Sequence, residues 1–237
     1  MNSLGSFDRC LSFINCHLQP SKSALHLQEE GSFRAVTISR QAGSGGHSVA
    51  ERLAELIKAG EHGENWMIFD RNLVEKVLED HKLPARLSRF MPENRISAIA
   101  DTMDELFGLH PPSWILVRKT SETILHLAEL GNVILIGRAA NIVTRRMPHV
   151  FHVRLVSPLE KRVERLQQSN GLTAKAALKL AEEQELARRR YVKQFFAKNI
   201  DDPLLYHLVL NTDLLSIDAT ARMIAMALAP KALAVAA

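Results

Sequence analysis

Short runs of β-branched and aliphatic residues alternate along this chain with longer stretches in which apolar residues recur every three or four positions. Val36, Thr37 and Ile38 form the first run, and Val49, Leu53, Leu56 and Ile57 mark one face of the helix predicted after it. Trp66 to Phe69 reads as a second strand. A helix with Ile96, Ile99, Met103, Leu106 and Phe107 on one face follows a basic, irregular stretch from His81 to Pro92. Beyond Pro111 and Pro112 a further helix spans Ser113 to Leu130, and Gly131-Asn132 ends it. Val133 to Ile136 is apolar without alternation, the pattern of a parallel strand covered on both faces. Phe151 to Val156 is the next strand, with Pro158 opening a helix. After the Asn170-Gly171 turn a long helix starts at a Thr173 N-cap. Leu208 to Leu210 and a helix from about Ser216 to Leu228 close the pattern. Such alternation predicts a three-layer α/β domain with a parallel sheet and right-handed crossovers.

Residues 1–33 lack any sustained period and read as a mobile extension, so the domain is expected over residues 34–228, followed by a small-residue tail at 229–237. The 237 residues suffice for one such domain with a substantial core. A net charge of +4 suits a polyanionic small substrate. The basic residues lie in helical segments without aromatic interleaving, which argues against nucleic acid as a partner. Two cysteines, Cys10 and Cys16, have no metal or redox motif around them, so a reduced cytoplasm is the expected compartment. No run of about 18 apolar residues is present to span a bilayer, and Leu11 to Ile14 is too short for a signal sequence.

The chemistry concentrates where predicted strands end. Between the first strand and its helix lie Gly43, Ser44, Gly45, Gly46, His47 and Ser48. Glycines there allow left-handed backbone and close approach of a ligand, and the first amide groups of the helix attract an anion. The alternative is a plain turn between strand and helix. Set against the G-x-x-x-x-G-K-[ST] pattern, Arg40 stands at the first glycine, Gly46 at the lysine and His47 at the Ser/Thr. Arg40 and His47 are therefore candidates for the lysine's charge, and Ser48 for a metal-binding hydroxyl. Asp70 and Arg71 end the second strand, either as ligand groups or as a helix N-cap and its neighbour. Arg138 follows Gly137 at the end of the Val133–Ile136 strand, where its planar fork suits a phosphate or pairs with a carboxylate. On the long helix, Glu185 precedes Arg188 and Arg189 by three and four residues, so intrahelical ion pairs are expected. That run is either a solvated face or an arginine arm closing over phosphates.

Taken in order, Val36 to Gly46, then Phe69-Asp70-Arg71, Val133 to Ala140, Glu185 to Tyr191, and Asp202-Pro203 through Tyr206 to Asn211-Thr212 resemble the cytidylate kinase-like family over about residues 34–228. The resemblance implies a P-loop NTPase fold with a five-stranded parallel sheet, a helical insert for a nucleoside monophosphate (NMP) at about 70–130 and an arginine-bearing lid helix at about 170–203. It implies ATP on Gly43 to Ser48 with Mg2+ between its phosphates, Arg138 on the acceptor phosphate helped by Arg71, and Arg188 as the lid arginine. Glu185 stands where aspartate is commoner, and His47 where the group usually has arginine. The missing lysine is shared with the group. The implied activity is phosphoryl transfer from ATP to a nucleoside monophosphate, CMP or dCMP first, by a cytoplasmic monomer or homodimer with nucleotide substrates and no membrane. Arg40, Arg138 and Arg188 would carry the catalytic charge. A non-catalytic nucleotide-binding or sensing module is the alternative, and a polyanion-binding interaction protein a third.

Overall fold

The computed structural model describes residues 33–59, 65–70 and 114–228, together with Ser12, Ile99, residues 101–103 and Leu106. All of the extension but Ser12 and Phe33, most of the 71–113 stretch including Arg71, and the C-terminal tail at 229–237 lie outside the described residues.

Five strands form one parallel sheet: β1 (Ala35–Arg40), β2 (Met67–Phe69), β3 (Val133–Ile136), β4 (Val150–Val156) and β5 (Leu208–Asn211). Their spatial order is β2-β3-β1-β4-β5. Ala35 pairs with Val133 on one side and Val150 on the other, so β1 holds the middle of the sheet. The unbroken apolar run of β3 is explained by the same order, since β3 lies between β2 and β1 and all four of its residues are buried.

Successive side chains of a strand point to opposite faces, and here each face has its own helices. Val36, Ile38, Ile134, Ile136, Val153 and Leu155 pack with Val49 and Leu53 of α1 (Gly46–Lys58) and Ile224 of α6 (Ile217–Leu228). Ala35, Val133, Leu135 and Phe69 pack on the opposite face. There they meet Ile124 and Leu127 of α2 (Ile115–Leu130), Ile142 of the short α3 (Ala140–Val143), and Val192 and Phe196 of α5 (Ala174–Phe196). A third cluster joins Ala42 in the glycine loop to Leu166 of α4 (Leu159–Asn170) and to Ala177 and Ala181 of α5. This is the three-layer P-loop NTPase arrangement. The carboxyl ends of β1 and β3 lie side by side, at the edge where ligands bind in open parallel sheets.

Two short pieces escape the apolar pattern: α3, and a 3-10 turn at Pro203–Leu205 capped by the Asp202 side chain. The Thr173 hydroxyl accepts from the Ala176 amide, as an N-cap should. Among the described residues no helix is long and apolar enough to cross a membrane.

Candidate functional site

The glycine loop after β1 is fastened to the body of the protein through its carbonyl groups. Ala42 O accepts from Arg162 Nη1 at 3.4 Å and Ser44 O from the buried Thr212 hydroxyl at 3.0 Å, while within the loop Gln41 O accepts from the Ser44 hydroxyl at 2.9 Å. Gly43 and Gly45 have φ of 77° and 78°. A Cβ on Gly43 would collide with the Arg162 carbonyl, so the loop rests directly on the first turn of α4. Gly45 opens α1 without any side-chain cap, which leaves the first-turn amide groups for an anion. Ser44 is fully buried, with its hydroxyl turned inward and its amide donating to Gln41 O at 3.3 Å, so it braces the loop from within. Ser48 is exposed on the first turn of α1.

Arg40 explains two of the glycines. Its stem crosses Gly46, where an added Cβ would come within 2.9 Å of Arg40 Cγ, and its guanidinium lies over Gly137, where a Cβ would collide with Nη1. The arginine thus passes over the spot from which a P-loop lysine would rise. Burial lowers its pKa to about 10, and Arg188 and Arg138 act the same way against the opposing pull of Asp70 and Glu185. It still carries its charge at neutral pH.

Arg40 opens into a cavity of about 500 Å³ together with His47, Asp70, Arg138, Arg188 and Tyr191. Gly137, Arg138 and Ala139 follow β3 with φ of 81°, 53° and 56°, three left-handed residues in succession. Two of them are not glycine, and such strain persists only where the surroundings fix it. The turn delivers the Arg138 guanidinium over the Tyr191 ring, 5.8 Å from its centroid. Arg188 is held from its own helix: Nη1 donates to Glu185 Oε1 at 2.8 Å and Nη2 to Gln184 Oε1 at 2.9 Å. Glu185 is itself buried, and the same Oε1 accepts from the Ala42 amide of the glycine loop at 2.7 Å. Burial lowers the pKa of Arg188, with Glu185 opposing. His47 Nε2 and Asp70 Oδ2 face each other at 3.6 Å, an electrostatic contact longer than a hydrogen bond.

Of the residues singled out from the sequence, Arg40, His47, Asp70, Arg138 and Arg188 meet in this cavity. The glycine loop adjoins it, while Ser48 is not among the residues that line it. Arg71 lies outside the described residues. One of the two expected intrahelical ion pairs forms, Glu185 with Arg188; Arg189 pairs instead with Asp201 at 3.0 Å. Its side chain meets the chain that follows α5 rather than the helix's own acidic face.

Sequence reasoning missed several walls of the cavity: Ser39, Asn141, Gln184 and Tyr191. Asn141 is 5 % exposed, and its Nδ2 finds no partner among the described residues. A polar residue three positions after the Gly-Arg turn was the available signal. Ser39 accepts from Nη1 of Arg154 at 2.9 Å, and Arg154, itself 2 % exposed within β4, reaches Asp201 at 2.8 Å. Nothing in the apolar run of β4 marks that arginine as a support for the cavity floor.

Residues 35–214 match the model of the cytidylate kinase-like family. A cytidylate kinase of Methanopyrus kandleri is 32 % identical over 111 residues, which cover 44 % of this chain and 58 % of the relative. The match thus spans little more than half of that relative's length. A solved structure of an uncharacterized protein from Eubacterium ventriosum superimposes with a TM-score of 0.64 at 19 % identity, over 82 % of this chain and 97 % of that one, a likeness of fold. Shikimate kinase from Bacteroides thetaiotaomicron gives a TM-score of 0.44 at 13 % identity, over 82 % of this chain and 98 % of its own. With three quarters of its length under one family model and a glycine loop at the head of a five-stranded parallel sheet, the chain belongs to the cytidylate kinase-like family.

Proposed function

We propose that this protein transfers the γ-phosphoryl group of ATP to a nucleoside monophosphate, with CMP or dCMP as the first acceptor. The observation that carries the reading is the convergence of Arg40, Arg138 and Arg188 on one cavity beside an uncapped helix N-terminus. The name of the Methanopyrus relative supports the choice of acceptor. In the proposed step an oxygen of the acceptor phosphate attacks the γ-phosphorus in line, and the bond from that phosphorus to the β–γ bridging oxygen breaks. ADP leaves and a nucleoside diphosphate forms. A phosphate monoester loses its second proton with a pKa of about 6, so the attacking oxygen needs no general base at neutral pH. What remains for the protein is positioning and charge stabilisation.

The residues present fit a triphosphate: the α1 amide groups and the glycine loop suit the β-phosphate, and Arg40 lies where a lysine would otherwise neutralise the transferred group. We assign Arg188 to the same group and Arg138 to the acceptor phosphate, with Asp70 and Arg71 on the acceptor side. Magnesium would neutralise further triphosphate charge when bound. Ser48, exposed on the first turn of α1, is the hydroxyl we assign to it. The cytoplasm, where nucleotides are available, is the expected compartment, for a monomer or homodimer.

ADP release with ATP, Mg2+ and a panel of nucleoside monophosphates tests the reading. Turnover with a pyrimidine monophosphate is expected, and Arg138→Ala and Arg188→Ala should each lower it on the order of a hundredfold or more while melting temperatures hold. Near-normal turnover in both variants would refute the assigned roles. A sensing module is the second reading. Gly46 in the lysine position and Arg188 already engaged by Glu185 favour it, and tight ATP binding without turnover on any acceptor would select it.

A further inference from the structure

We infer that Tyr191 is a positioning residue for Arg138, and that its ring sets the guanidinium in the cavity where the acceptor phosphate is proposed to bind. The inference rests on the reading above and deepens it. Three observations meet at this residue. The Arg138 guanidinium lies 5.8 Å from the Tyr191 centroid, and both residues line the cavity. The ring is itself fixed from behind, with Phe195 and Phe196 at 5.1 Å and 6.0 Å between centroids. Finally, Arg138 leaves β3 from a left-handed backbone, so its side chain starts in a direction that ordinary strand geometry would not give.

An arginine on a flexible stem loses rotamer freedom when it binds an anion. A ring face that holds it beforehand reduces that loss, because the planar guanidinium is attracted to the aromatic quadrupole. Tyr191 also lies three residues after Arg188 on α5, so Arg138 and Arg188, two of the arginines assigned to phosphates, take their placement from one helix face. The hydroxyl is not needed for this role; the ring face is.

Two measurements test the assignment. In 15N-labelled protein without ligand, the Arg138 Nε–H signal, identified by its loss in Arg138→Lys, should be displaced by the ring current in wild type and in Tyr191→Phe. It should return to the ordinary arginine position in Tyr191→Leu, with melting temperature recorded for each variant. In calorimetric titrations of CMP, Tyr191→Phe should bind as wild type does and Tyr191→Leu roughly three- to thirtyfold more weakly. The double variant Arg138→Ala/Tyr191→Leu should be no weaker than Arg138→Ala alone, and ATP affinity should be the same throughout. An Arg138 signal unmoved in Tyr191→Leu would overturn the inference. So would a Tyr191→Leu loss that persists in full in the Arg138→Ala background. Failure of the wild type to bind CMP would instead overturn the acceptor reading above, and the ligand-free Arg138 signal then decides the Tyr191 contact.

Discussion

At the scale of single residues, the departure from the P-loop pattern becomes a matched pair. Arg40 stands at the first glycine of the pattern and Gly46 at the lysine, and the structure lays the side chain of the first across the second. Gly46 is the first residue of α1 and has no positive φ, so its backbone accepts alanine, but the added Cβ would press on the Arg40 stem, 2.9 Å from Cγ. We predict that Gly46→Ala folds but melts at or below the wild-type temperature and turns over more slowly, because Arg40 has to give way; equal turnover would mean that the Arg40 path is irrelevant. Gly46→Lys alone should be worse, because two cationic side chains then compete for one channel. Adding Arg40→Gly, which restores the ordinary glycine and lysine together, should recover part of the activity. The alignment with the pattern brought Arg40 and Gly46 to notice. It could not disclose that one side chain covers the other, because that contact depends on the turn between them.

At the scale of elements, α5 is joined to the rest of the molecule not only by its apolar packing but by Glu185 to the Ala42 amide, Arg189 to Asp201, and Tyr191 under Arg138. The spacing of Glu185 and Arg188 was enough to predict their ion pair. That Glu185 also reaches the glycine loop, 143 residues away in sequence, was not legible, since a carboxylate in a charged helical run ordinarily faces water. Glu185→Ala would leave the Ala42 amide and the Arg188 guanidinium without their shared partner. Removing an acceptor from buried donors costs about 1–3 kcal/mol, more for a charged one. A fall in urea-unfolding stability of at least that size is expected, with Glu185→Gln intermediate because an amide oxygen can still accept from Ala42. Equal stability of all three proteins would show that the contact is not a structural tie.

At the scale of the whole molecule, the strands were legible because a parallel sheet buried on both faces has to be built of continuous apolar runs, and β3 is the clearest case. The order of the strands and the partners of buried polar groups depend on contacts distant in sequence. His152 illustrates the second point. It lies within β4, bonds to the Thr37 hydroxyl at 2.9 Å and stacks on His207, and burial, reinforced by His207, lowers its pKa to about 4. The unfolded chain therefore takes up this proton near pH 6.5, before the folded one does, so stability present above pH 6.5 is lost as pH falls toward 4. The depression corresponds to about 3 kcal/mol at most. Urea titrations between pH 7 and pH 4 should show that loss, and His152→Asn, which cannot take up the proton, should show a shallower one; identical slopes would remove His152 as the cause.

We propose that this lysine-free glycine loop supports phosphoryl transfer because Arg40 supplies the charge. The most direct test is the rate of ADP release from ATP, Mg2+ and CMP by the wild type beside Arg40→Ala, with melting temperature as the control. Steady turnover is expected in the wild type, and a loss on the order of a hundredfold or more in a variant that remains folded. Turnover in Arg40→Ala equal to that of the wild type, or a wild type that binds ATP tightly and transfers to no acceptor, would contradict the proposal.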